Sequence, residues 1–110
     1  MLFKERHVGP IERGEKTQTR RVWKRCHVRV GGTYPVQLRM FAKNADALGW
    51  IRVLELRDER LGDLSREDAM AEGGYSQMEF YDVWAAINGR FDENTTVTVV
   101  TFVYVGKVRP

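Results

Sequence analysis

The chain is poor in cysteine, in proline and in long apolar stretches, and each scarcity closes off a class of protein. Its single cysteine, Cys26, cannot form an internal disulfide. A disulfide-stapled secreted scaffold is therefore excluded, and a reducing compartment is expected. No apolar run reaches the roughly 18 residues that read as a membrane-spanning helix, so no membrane association is expected. The opening Met1-Leu2-Phe3-Lys4-Glu5-Arg6 carries charges where a signal peptide needs its apolar segment. Together these point to a cytoplasmic protein. His7, His27 and Cys26 are too few and too scattered for a zinc centre. Gly31-Gly32 is too short to cradle a phosphate, and no dinucleotide fingerprint is present. Neither a metal nor a cofactor is expected.

What remains is ordinary globular material. The 110 residues are 43% hydrophobic and 30% charged, which fits one domain, 1–110, with one core. Net charge is only +3, but it is unevenly spread. From Arg13 to Arg29 seven bases face one acid, Glu15; from Asp58 to Asp82 eight acids face two bases. Such a split makes a local field that the overall balance conceals, and marks the basic half as the face for an anionic partner.

Gly9-Pro10 restricts any first helix to a single turn at Ile11 to Arg13, ended by Gly14. Lys16 to Arg21 reads as a loop leading into a strand that begins at Val22 and Trp23. After the Gly31-Gly32 turn, Tyr34, Val36, Leu38 and Met40 alternate with Pro35, Gln37 and Arg39, a strand with one buried face. Pro35 has no N–H and belongs at an edge. Ile51, Val53, Leu54 and Leu56 mark another strand whose apolar phase slips at Val53-Leu54. Ser65-Arg66-Glu67-Asp68 and Ser76-Gln77-Met78-Glu79 are capping patterns opening two short helices. Gly73-Gly74 ends the first and Asn88-Gly89 the second. On the second, Phe80, Val83, Trp84 and Ile87 form one apolar stripe, and Met70 and Met78 read as core filler. Thr96 to Val105 is rich in β-branched and aromatic residues. Its phase slips near Val99-Val100, as a bulge or burial on both sides would produce. The class is α+β: a small, mostly antiparallel β-barrel with short helices inserted before the last strand.

Gly14-Glu15-Lys16-Thr17-Gln18-Thr19-Arg20-Arg21 fits the pattern Gly-x-Lys-x-x-Thr-x-Arg. Further on, Leu64-Ser65-Arg66-Glu67-Asp68-Ala69-Met70-Ala71-Glu72-Gly73 is followed by Phe80 and Trp84. With these two segments the chain resembles the ASCH family, PUA-like domains named for homology to a transcriptional coactivator, over nearly its whole length. The resemblance implies a PUA-like barrel and association with RNA. Some small bacterial members look like amidohydrolases that remove the acetyl group of N4-acetylcytidine with a Lys, a Thr and a Glu. By motif position these correspond to Lys16, Thr19 and Glu72.

Those residue types suit such a role in two ways. Lys16 lies three residues before Thr19 and would activate its hydroxyl if burial or nearby cations lowered the lysine's pKa. Alternatively Glu72 carries the proton and Lys16 is the cation that polarises a carbonyl. Against both stands the plain reading of a Lys–Glu pair tying a loop to a helix. Glu72 sits in the last turn of its helix, where the macrodipole disfavours an acid, so a nearby cation is expected.

The stretch Arg20, Arg21, Trp23, Lys24, Arg25 and Arg29 pairs guanidinium forks for phosphate with an indole that stacks on an unpaired base. Alternation from an inward Val22 turns Trp23 outward beside Arg21 and Arg25. The deacetylase-like relatives run into acidic sequence here, and a free nucleoside carries no charge for these cations to meet. The first expectation is a monomeric module that binds RNA or a nucleotide, with a cationic cleft between the Lys16–Arg21 loop and the Glu72 helix end. An amidohydrolase on the same residues comes second and a ribonuclease third. Sequence names no protein partner.

Overall fold

A computed structural model describes residues 1–110. Helix α1 (Glu5–Glu12) comes first, then β1 (Gln18–Arg21), β2 (Thr33–Val36) and the long β3 (Gly49–Arg60). Helices α2 (Arg66–Gly73) and α3 (Gln77–Asn88) follow, and β4 (Thr96–Gly106) closes the chain. The strands form one antiparallel sheet in the order β1-β4-β3-β2, curled into a half-barrel. No helix is long and apolar enough to cross a membrane.

β4 is an inner strand buried on both faces. Val97 and Val99 belong to a cluster with Leu61, Leu64, Ala69, Phe80 and Trp84, whereas Val100 and Phe102 belong to one with Phe3, Ile11, Val36, Ile51 and Val53. Neighbouring strand residues point to opposite faces, so the slip at Val99-Val100 records burial on both sides.

The slip in β3 has a different origin. Val53 pairs with Phe102 and Glu55 with Thr101, leaving Leu54 as an extra residue in a bulge. Ile51 and Val53 lie in the α1-side cluster, and after the bulge Leu56 packs against that same cluster.

Both capping patterns form. Ser65 Oγ accepts from Asp68 N at 3.0 Å, and Ser76 and Glu79 make a reciprocal box. Pro35 lies in β2, one of the two edge strands.

Four expectations need correction. Helix α1 has eight residues with Pro10 inside. The missing Pro10 N–H removes one bond near the helix end, and buried Ile11 holds the helix to the sheet. Gly14 ends the segment in a left-handed conformation, φ 75°. The alternating run after Gly32 stops at Val36, so Leu38 and Met40 are exposed. β1 lies inside the stretch read as a loop, since Gln18 to Arg21 pair with Thr101 to Thr98. Met70 and Met78 are exposed rather than buried.

Candidate ligand cleft

The site is built where the turn after α1 meets the end of α2. Pro10 O accepts from the N–H groups of Glu15 and Lys16 at 2.8 and 3.1 Å, folding the chain back on the helix. Thr17 N then donates to Ala71 O at 2.8 Å, and Thr17 O accepts from Phe102 N at 2.9 Å. This stitches the turn between α2 and β4. Lys16 points inward, and its ammonium donates to Glu72 O at 2.7 Å, Gln18 O at 2.9 Å and Glu72 Oε1 at 3.4 Å. Burial pushes the Lys16 pKa below its usual value, and the Glu72 carboxylate partly offsets this. Three acceptor oxygens match three N–H donors, so the geometry is that of an ammonium.

Glu72 accepts from a second cation, Arg20 Nη1, at 2.9 Å. Arg20 extends the network through Nη2 to Asp68 at 3.1 Å and Glu59 at 3.2 Å. Arg57 adds a 2.8 Å bond to Asp68. Burial raises Asp68, but the hydrogen bond from Gln18 and the charges of Arg20 and Arg57 outweigh it and hold the group below its usual value. The acid at the α2 C-terminus, which the macrodipole disfavours, is therefore matched by two buried cations.

Alternation along β1 sends Gln18 and Arg20 toward these carboxylates and Thr19 and Arg21 to the other face. Arg21 Nε donates to Thr19 Oγ1 at 3.1 Å and Nη2 to Leu2 O at 2.6 Å, with the guanidinium 5.0 Å above the Phe3 ring. Burial lowers its pKa, with Glu72 opposing.

Above this floor opens a cleft of about 330 Å³ lined by Lys16, Thr19, Arg20, Arg21 and Glu72 on one side. Tyr75, Phe80, Val83, Trp84 and Ile87 supply much of the apolar wall. His7 from α1 is also part of the lining, with Nε2 and the Tyr75 hydroxyl 2.9 Å apart. Burial, with the charges of Lys16, Arg6 and Arg21, lowers the His7 pKa to about 4, so the ring is neutral at pH 7.

Three solved structures share this architecture. An ASCH domain from Lactobacillus crispatus aligns at TM-score 0.64 and 16% identity, over 90% of this chain and 70% of its own. A protein of Enterococcus faecalis from a domain family of unknown function aligns at 0.68 and 16%, over 96% and 74%. A point variant of the Zymomonas mobilis ASCH protein aligns at 0.68 and 13%, over 100% and 71%. The fold is that of the ASCH domain. By sequence nothing matches, neither a family model nor a curated protein.

On this ASCH fold, the residues expected to act together are only partly assembled. Lys16, Thr19, Arg20, Arg21 and Glu72 share the cleft, whereas Trp23, Lys24, Arg25 and Arg29 lie outside it. Arg20 is a buried clamp rather than a surface cation, because β1 aims it at three carboxylates. Trp23 follows the end of β1, so strand alternation no longer governs it. Val22 is exposed, and Trp23 is half-buried against the core with its ring centroid 5.0 Å from that of His27. Lys24, Arg25 and Arg29 are exposed on the loop beyond.

The reading from sequence missed His7 and Tyr75, which meet across 68 residues and leave no local signal. It also missed that Val83 and Ile87 of the α3 stripe face the cleft. The spacing of the stripe marks an apolar face but not that part of it lines a cleft instead of the core.

Proposed function

We propose that the cleft binds a nucleotide, free or within RNA, in a cytoplasmic and monomeric protein. One observation carries this reading: the charges of the cleft do not cancel. Glu72 is the sole carboxylate in the lining and is already matched by Lys16 and Arg20, while Arg20 is further balanced by Glu59 and Asp68. Arg21 and Lys4 remain as cations beside an aromatic wall of Tyr75, Phe80 and Trp84. A ligand with a flat apolar part and an anionic group matches that lining. Exposed Lys24, Arg25 and Arg29 extend the basic surface for a phosphate backbone.

Titration of CMP, cytidine and a mixed RNA pool side by side tests the proposal. CMP and RNA are expected to bind more tightly than cytidine, with affinity falling as salt rises. Equal or tighter cytidine binding overturns it.

The amidohydrolase reading stands second because Lys16, Thr19 and Glu72 line one cleft, as the family resemblance implies. Its difficulty is geometric. A threonine nucleophile needs a base within hydrogen-bond reach, yet the partner of Thr19 Oγ1 is the Arg21 guanidinium, and Lys16 has all three donors engaged. Acetate released from N4-acetylcytidine would favour this reading over simple binding.

A further inference from the structure

Residues 38–43 turn beside the cleft, and Leu38 is part of its lining. Within that turn Phe41 is 96% exposed and is the one non-glycine residue with positive φ, at 59°. Both properties are unfavourable for a phenylalanine: the backbone conformation suits glycine or asparagine, and the ring gains nothing from its neighbours. The turn is nevertheless anchored. Gln37 Nε2 donates to Ala42 O at 2.9 Å. Gln37 N donates to Met1 O at 2.9 Å, and Gln37 O accepts from Phe3 N at 2.8 Å. Those last bonds, to Met1 and Phe3, pair Gln37 with the intervening Leu2, and Leu2 and Phe3 are themselves cleft wall. Arg39 and Lys43, two positions before and two after Phe41, are exposed.

We propose that this turn is a second nucleotide subsite, where Phe41 stacks on a base of single-stranded RNA whose neighbouring nucleotide occupies the cleft. The inference rests on the nucleotide reading of the cleft and extends its ligand from a mononucleotide to a strand. Phe41 lies three positions along the chain from Leu38, a span of at most about 11 Å when extended, so one strand reaches both places. A ring projecting alone offers its face to a base, and stacking is tolerant of base identity. Exposed Arg39 and Lys43, two positions before and two after Phe41, give the turn charge complementarity to an anionic strand.

The test compares CMP with a cytidine tetranucleotide on wild-type protein, F41A and F41W, with anionic phosphatidylserine vesicles as a further probe. Wild type is expected to bind the tetranucleotide more tightly than CMP. F41A is expected to weaken the tetranucleotide about tenfold while leaving CMP within twofold, and F41W is expected to restore binding. Tetranucleotide affinity unchanged in F41A, or no tighter than CMP in wild type, overturns the subsite while the cleft reading stands. Loss of vesicle binding in F41A with unchanged tetranucleotide affinity overturns it in favour of a membrane-docking turn. Failure of wild type to bind either nucleotide overturns the cleft reading and this inference together.

Discussion

Lys16 binds Glu72 twice, through its main-chain carbonyl at 2.7 Å and its carboxylate at 3.4 Å. The first contact caps an otherwise unpartnered carbonyl at the end of α2, and the second neutralises an acid in the same turn. The ammonium therefore holds the loop to the helix whatever else it does. Lys16→Met leaves two buried carbonyls without this donor and removes one of the two cations on Glu72. Breaking a buried pair this way costs about 3–5 kcal/mol. Urea unfolding is expected to show a lower midpoint at an unchanged m-value. A loss under about 1 kcal/mol would mean that the capping contact is dispensable.

Because Lys16 supports the fold, Thr19 separates binding from catalysis more cleanly. Thr19→Val keeps the shape and removes the hydroxyl that accepts from Arg21 Nε. In a binding cleft, CMP affinity is expected to fall less than about tenfold, in keeping with the loss of one hydrogen bond. Wild-type acetate release from N4-acetylcytidine that disappears in Thr19→Val would identify the hydroxyl as a nucleophile.

Acid should destabilise the protein through His7. Its folded pKa of about 4 lies below the ordinary 6.5, so the unfolded chain takes up the proton first as pH falls. The contribution of neutral His7 is complete above about pH 6.5 and is lost as pH drops toward 4. Asp68, also held below its ordinary value, adds a loss in the same direction at lower pH. Thermal melts between pH 7.5 and 4.5 are expected to show a falling Tm in the wild type and a shallower slope in His7→Gln. Parallel slopes would remove His7 as the cause.

The two groups of arginines should separate by salt. Arg21 lines the cleft, and Arg21→Ala is expected to weaken CMP and RNA alike. Arg25 is exposed outside the cleft, and Arg25→Ala is expected to weaken RNA only. For each phosphate that a variant no longer neutralises, the slope of log affinity against log salt should flatten by about 0.7 on a single strand. Salt-independent RNA binding would contradict the role given to this basic surface.

Local rules carried the reading of the sequence a long way. Ser65 and Ser76 announced their helices because a cap is a four-residue device with its own residue types. The phase slips in β3 and β4 were visible as slips, but a bulge and two-sided burial leave the same trace in one dimension. Leu54 and the Val99-Val100 pair became distinguishable only with pairing partners in hand. In the cleft, the motif brought Lys16, Thr19 and Glu72 to notice, and the helix-dipole argument anticipated the cations around Glu72. The fate of Arg20 was not legible, because exposure of a β1 side chain depends on what α2 and β3 place opposite it. His7 and Tyr75 were hidden for the same reason.

The extra residue at Leu54 makes the length of β3 a fixed quantity. Ile51 and Val53 on one side of it, and Leu56 on the other, reach the same cluster only because one residue is spent without a partner. Removing Leu54 would leave two halves of one strand out of step. Either the half before position 54 or the half after it would then turn its apolar side chains to water, so trimming this strand by one residue is a heavier injury than replacing Leu54 by a polar residue in place.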